Sequence, residues 1–223
     1  MMRDQLDLLL DYPANIAKML LNNYVDIGLV PVAVLPNMNE YHIISDYCIG
    51  CDGEVASVCL CSEVPITEIK KVMLDYESRT SVALCKILMQ DYWNISPVLE
   101  KGFPGYQKNI RGTTAGLVIG DRALKQRNIS KYVYDLGLVW KEMTGLPFVF
   151  AAWVSNKIMD DAFISAFNKA TSEGFLYLEE IVADHPFDSY DLQKYYTKNI
   201  QYNLDDKKQE ALKLFLKKLS AYK

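Results

Sequence analysis

The chain has 223 residues, 50% hydrophobic and 23% charged, with a formal net charge of -4. That length and apolar content allow a sizeable core in one domain or two modest lobes, and the acidic balance excludes a phosphate-backbone binder, so no nucleic-acid partner is expected. No apolar stretch reaches the roughly 18 to 20 residues of a membrane span and MMRDQLD lacks a signal-peptide core, so a cytoplasmic protein with no membrane partner is expected.

The opening LDLLLDYP reads as a strand running into a turn, and Pro13 then suits the first turn of a helix over PANIAKMLLNN. VDIGLVPVAVLP follows as an apolar run of strand type, interrupted by Pro31. Further strands are expected in YHIISD, EVASVCLC, KVMLDY, TAGLVIG and FVFAAWVS, alternating with helices over residues 66–71, 79–92, 121–127 and 136–143. Such alternation predicts mostly parallel sheets covered by helices. After the strand at 148–154 come three amphipathic helices, in DDAFISAFNKATSEGFLYLEEIVAD, YDLQKYYTKN and DDKKQEALKLFLKKL; the last begins with acids and ends with lysines, as its dipole prefers. This order suggests two lobes joined by extended crossings near 59–64 and 148–154, with a binding cleft between them.

Five cysteines, at 48, 51, 59, 61 and 85, form an odd set with no export signal, so reduced thiols are expected. The spacing of Cys48, Cys51, Cys59 and Cys61 invites comparison with a zinc site. Alternation along VASVCLCS instead buries Cys59 and Cys61 on one strand face, which favours core packing. There are two histidines, His42 and His185, and neither sits in a catalytic pattern. Common nucleophile, zinc and nucleotide signatures are absent from the sequence.

What remains are places where a strand gives way to small or hydroxyl residues. With Ser78 as N-cap, Arg79, Thr80 and Ser81 occupy the first helical positions, whose N–H groups have no intrahelical partner and can hold a carboxylate or phosphate. Plain capping explains one hydroxyl. It does not explain the lack of an acid from Ser78 to Ser81, because a helix start that serves only stability recruits Asp or Glu. In GLVIGDRAL, Gly120 permits close backbone approach and Asp121 either caps the next helix or meets a ligand. In CDGEVASV, Gly53 suggests a tight turn, and Ser57 is a hydroxyl within an apolar strand, satisfied by backbone or by a ligand. Trp140, Trp153 and the tyrosines read as core.

The succession DIGLVPVAVLP, YHIISDYCIGCDGEVASVCLCS, LDYESRTSVALCKIL, GTTAGLVIGDRAL and DLGLVWKEMTGLPFVFAAWVS resembles the chorismate dehydratases of the futalosine route to menaquinone, from about residue 8 to 219. The resemblance implies the α/β, two-lobed fold of type 2 periplasmic binding proteins, with mixed sheets flanked by helices and the ligand cleft between lobes. Residues 1–62 with 152–223 would form one lobe and 65–150 the other. It implies elimination of water from chorismate, a dianion, to give 3-[(1-carboxyvinyl)oxy]benzoate, without metal or organic cofactor. Ser57 matches a serine of the family's active site, and Gly53, Arg79, Thr80, Ser81, Gly120 and Asp121 are the expected substrate contacts. Family members carry a further strand with an active-site asparagine ahead of the stretch matched by Met1, so an in-frame upstream extension of about 30 residues is expected to complete the first sheet. The sister enzyme of the same route, 1,4-dihydroxy-6-naphthoate synthase, relies on a histidine near the second crossing, where GLPFVFAAW has none. A solute-binding protein of a transporter has the same fold and would need an export signal.

Overall fold

The computed structural model describes residues 2–222, and several of its helices start at an Asp cap that the sequence supplies. In chain order the elements are α1 (Pro13–Leu21), β1 (Ile27–Pro31), β2 (His42–Cys51), β3 (Val58–Ser62), β4 (Lys71–Leu74), α2 (Thr80–Asp91), β5 (Val98–Lys101), β6 (Thr114–Ile119) and α3 (Gly120–Gln126). They continue as β7 (Tyr132–Asp135), α4 (Leu136–Thr144), β8 (Phe148–Ser155), α5 (Asp161–Gly174), α6 (Leu178–Asp184), α7 (Leu192–Lys194), β9 (Gln201–Asn203) and α8 (Asp206–Ala221). Pro13 opens α1, where its missing N–H costs nothing. Asp135, Asp160 and Asp205 accept backbone N–H bonds at the starts of α4, α5 and α8.

Nine strands form two sheets among the described residues, of order β1-β8-β2-β9 and β5-β4-β6-β3-β7. In the first sheet β8 runs antiparallel to both β1 and β2, and β9 antiparallel to β2. In the second, β4 is parallel to β5 and β6, whereas β3 is antiparallel to β6 and β7. The expectation of mostly parallel sheets is therefore corrected. A crossover helix directly joins neighbouring strands only at β4–α2–β5, and there the parallel rule holds. β8 enters the first sheet from the second, so no such crossover sets its direction.

The passages between the sheets also differ from the expected positions. β3 lies between β6 and β7 of the second sheet and is buried along its whole length, so residues 58–62 do not end the first lobe. The chain leaves the first sheet through residues 52–57 and returns through 145–147, since β8 from Phe148 onward already pairs with β2. LDLLLDYP forms no strand: residues 6–12 belong to no regular element and have no partner strand among the described residues, and Leu8, Leu10 and Tyr12 are exposed.

One apolar cluster spans both sheets, joining Leu20, Val30 and Phe148 to Leu60, Leu84 and Leu117. At its centre the Trp140 ring of α4 packs edge-on to Phe148 of β8 at 5.1 Å, and Phe148 meets Phe215 of α8 at 5.1 Å. The Trp140 indole N–H donates to the Pro147 carbonyl at 2.9 Å, satisfying the one polar atom this ring buries. Trp153 packs on Phe167 of α5. A second cluster holds Cys59 and Cys61 with Met73, Tyr106 and Val118 on the other face of the second sheet, as the alternation of VCLC requires.

Candidate functional site

A cavity of about 430 Å³ opens between the two sheets. The parallel strands β4 and β6 point their C-terminal ends at it, and each is followed there by a helix, the arrangement in which α/β sheets present ligand sites. Pro31, Ile49, Phe150 and Ala151 form the wall from the first sheet, and Val58 and Ile119 the wall from the second. The polar groups on this apolar box include Ser57, the Ser78, Thr80 and Ser81 hydroxyls at the mouth of α2, Tyr195, and Asn15 and Lys18 of α1.

Ser57 is presented by a strained turn. Ala56 has φ 62°, a left-handed conformation unusual for a residue with a side chain, and the Ser57 N–H donates back to the Val55 carbonyl at 2.7 Å to close a three-residue turn. Buried charges hold this turn. The Asp135 carboxylate accepts from the N–H groups of Val55 at 3.1 Å and Ala56 at 2.7 Å, while it also caps α4 by accepting from Gly137 and Leu138. Burial pushes the Asp135 carboxyl above its usual range, and its backbone donors pull against that. The Arg127 guanidinium donates to the Ala56 carbonyl at 3.1 Å and to Glu54 at 2.5 Å. On the other side, the Ser57 carbonyl accepts the Gly120 N–H at 2.8 Å, where Gly120 takes φ 61°. Replacing Asp135 with Ala is expected to cost about 3 kcal/mol in urea unfolding with little change in slope, because it strands several backbone donors at once.

At the mouth of α2 the Ser78 hydroxyl accepts the Ser81 N–H at 3.0 Å, but the N-cap position itself is Arg79 and the helix starts at Thr80, one residue later than expected. The N–H groups of Arg79 and Thr80 precede the first intrahelical bond, which runs from Ala83 to the Arg79 carbonyl. Thr80 and Ser81 are buried and line the cavity. The Thr80 hydroxyl oxygen accepts the Ala33 N–H, just past β1, at 3.2 Å, a bond that ties the helix mouth to the first sheet and leaves the hydroxyl proton for another acceptor.

Of the residues singled out from sequence, Ser57, Thr80, Ser81 and Gly120 are brought together on the cavity. Gly53, Arg79 and Asp121 are not among its lining residues. Gly53 is buried at φ 105° in the turn leading to Ser57, Arg79 is half-buried at the helix start, and Asp121 is exposed. The mouth of α2 is also less free of acid than Ser78 to Ser81 suggested: Glu77 reaches the cavity rim, where Arg122 binds it at 2.5 Å. Arg122 also contacts the buried Asp75 at 3.1 Å and lies over the Tyr76 ring, so that acid comes with its own counter-charge.

Sequence reasoning missed Tyr195, Lys18, Asp135 and Arg127. Lys18 projects from α1 and is the only cationic side chain among the lining residues. His42 pairs with Glu40 and His185 with the Ile181 carbonyl, and neither lines the cavity. All five thiols are buried, and burial raises Cys48 and Cys85 to about 12 and Cys61 to about 11. Among the described residues no group of three His, Cys, Asp or Glu side chains is placed to hold a metal ion, and no helix is long and apolar enough to cross a membrane.

Residues 2–221 match the family described as menaquinone biosynthesis. The chain belongs to that family. A chorismate dehydratase of Thermus thermophilus is 28% identical over 93% of this chain and 84% of its own length. One from Campylobacter jejuni is 31% identical over 66% of this chain and 57% of its own length. Two solved structures share the fold. A protein of Archaeoglobus fulgidus superposes with a TM-score of 0.71 at 14% identity, over 96% of this chain and 85% of its own. An ABC transporter protein of Parabacteroides distasonis gives 0.60 at 16% identity, over 96% and 81%. The second likeness supports the periplasmic-binding-protein-like architecture that the motifs implied.

Proposed function

We propose that the protein is a chorismate dehydratase that needs no metal or organic cofactor. Membership of the menaquinone biosynthesis family and the two dehydratase relatives support the activity. The observation that carries it on this chain is the cavity itself, an apolar box with the Ser57 hydroxyl on one side and the hydroxyl-lined mouth of α2 among its polar groups. Its volume of 430 Å³ suits one small ring compound with polar anchors.

The reaction removes the ring hydroxyl and the hydrogen of the neighbouring carbon that bears the enolpyruvyl ether, so one C–O and one C–H bond break and a cyclohexadiene becomes a benzene ring. Aromaticity drives it, and the protein chiefly holds the dianion in the reactive pose. We assign one substrate carboxylate to the N–H and hydroxyl donors at the mouth of α2 and place Ser57 at the other carboxylate or the departing hydroxyl. Among the described residues Glu77 is the one side-chain carboxylate lining the cavity, and one of its oxygens is held by Arg122. We assign the proton to a carboxylate of the substrate itself.

Incubation of the purified protein with chorismate should yield the aromatic product, seen by its ultraviolet spectrum and by loss of one water in the mass spectrum. Binding without conversion would instead mark a solute-binding protein. In the same assay, an analogue lacking the enolpyruvyl carboxylate should bind and fail to react; near-normal turnover would put the base on the protein.

A further inference from the structure

The phenol of Tyr195 donates to the Ser57 hydroxyl oxygen at 2.9 Å, a contact between residues 138 positions apart. Tyr195 opens a single π-helical turn, Tyr195–Asn199, at the end of α7, and such turns are uncommon and concentrate at functional sites. That turn grips the Ser57 loop twice. Besides the Tyr195 bond, the Asn199 amide donates to the Glu54 carbonyl at 3.1 Å, and the Tyr190 hydroxyl fixes the amide by donating to its oxygen at 3.0 Å. The Tyr195 ring is held in turn, edge-on to Tyr190 and at 5.0 Å from Tyr196.

A phenol is a more acidic donor than an alcohol, so in a phenol–serine pair the phenol gives its proton and the serine accepts. Burial raises Tyr195 to about 12, so the phenol keeps that proton throughout the working range of an enzyme. With its oxygen engaged in this way, the Ser57 hydroxyl proton is left for the cavity that Ser57 lines. An uncommitted serine rotor, by contrast, can present either a proton or a lone pair, and a lone pair repels a carboxylate.

We propose that Tyr195 is a positioning residue, which by donating to Ser57 locks the serine hydroxyl as a donor toward the anionic substrate. The proposal rests on the chorismate dehydratase reading for the identity of that substrate, and on the geometry for the lock. Tyr195→Phe keeps the ring and removes only the donor. It should melt close to the parent and lose about tenfold in kcat/KM, while the same change added to Ser57→Ala should cost nothing further, because its route is already gone. Additive losses would mean that Tyr195 touches substrate on its own account, and full activity in Tyr195→Phe would mean that it positions nothing; either result overturns the proposal. A second reading does not need turnover. With tyrosine isotopically labelled at Cζ, the Tyr195 resonance, identified by its loss in Tyr195→Phe, should shift in unliganded Ser57→Ala. An unmoved resonance overturns the lock. A shifted resonance in a protein that leaves chorismate untouched would uphold the lock and refute the dehydratase reading.

Discussion

Ser81→Asp is expected to stay folded, with some loss of stability, and to lose chorismate binding almost completely. Ser81 is the second residue of α2, with its N–H already accepted by the Ser78 hydroxyl. A carboxylate there meets the helix dipole favourably, by about 0.3 to 1 kcal/mol, which offsets part of the cost of placing it on a largely buried position. The cavity beside Ser81 takes the added atoms. A substrate carboxylate docked about 4 Å away would meet repulsion of up to about 4 kcal/mol at an effective dielectric near 20, roughly a thousandfold in affinity. Repulsion exceeds the dipole gain several times over, so capping and anion binding predict different outcomes. Calorimetry with chorismate on a catalytically slow background decides between them. Unchanged affinity in a normally folded variant would mean that the mouth of α2 is merely capped and that the carboxylate sits elsewhere.

The elements that sequence periodicity found are those whose faces are set by burial. β4, β6 and β8 are apolar runs inside sheets, and α2, α4 and α8 carry apolar faces into the shared core, so pattern and packing agree. The missed strands β5, β7 and β9 lie at sheet edges. VLEK of β5 is exposed at every position and offers no alternation to read. LDLLLDYP fails in the opposite sense, as a strong strand pattern without a neighbouring strand among the described residues, because a strand exists only when something pairs with it.

The site divides along the same line. The Ser78–Ser81 mouth and Gly120 were legible because helix starts and glycine turns are local features of chain chemistry. The π-helical Tyr195 and the buried Asp135 and Arg127 were not, since each acts on the Ser57 loop from more than 70 residues away. Asp135 announced itself only as an N-cap between a strand and a helix in YVYDLGL. Nothing local says that the same carboxylate also holds the strained Ala56.

That strain gives Ser57 its second test. A turn with a left-handed alanine persists because Asp135 takes the Ala56 N–H and Arg127 reaches its carbonyl, so the loop's shape does not depend on the serine side chain. Ser57→Ala should therefore cost only about 1 to 3 kcal/mol of stability, the cost of leaving the Tyr195 phenol without its acceptor. Against a total of about 5 to 15 kcal/mol, the variant stays folded. The transition state loses more: removing a single preorganised donor aimed at developing or bound negative charge lowers turnover by about a hundredfold to a thousandfold. Steady-state kinetics on chorismate, normalised to the folded fraction from urea unfolding of the same preparation, separates the two quantities. A variant that lost several kcal/mol yet kept its kcat/KM per folded molecule would make Ser57 a structural hydroxyl, and the strained turn would then serve only to join the two sheets.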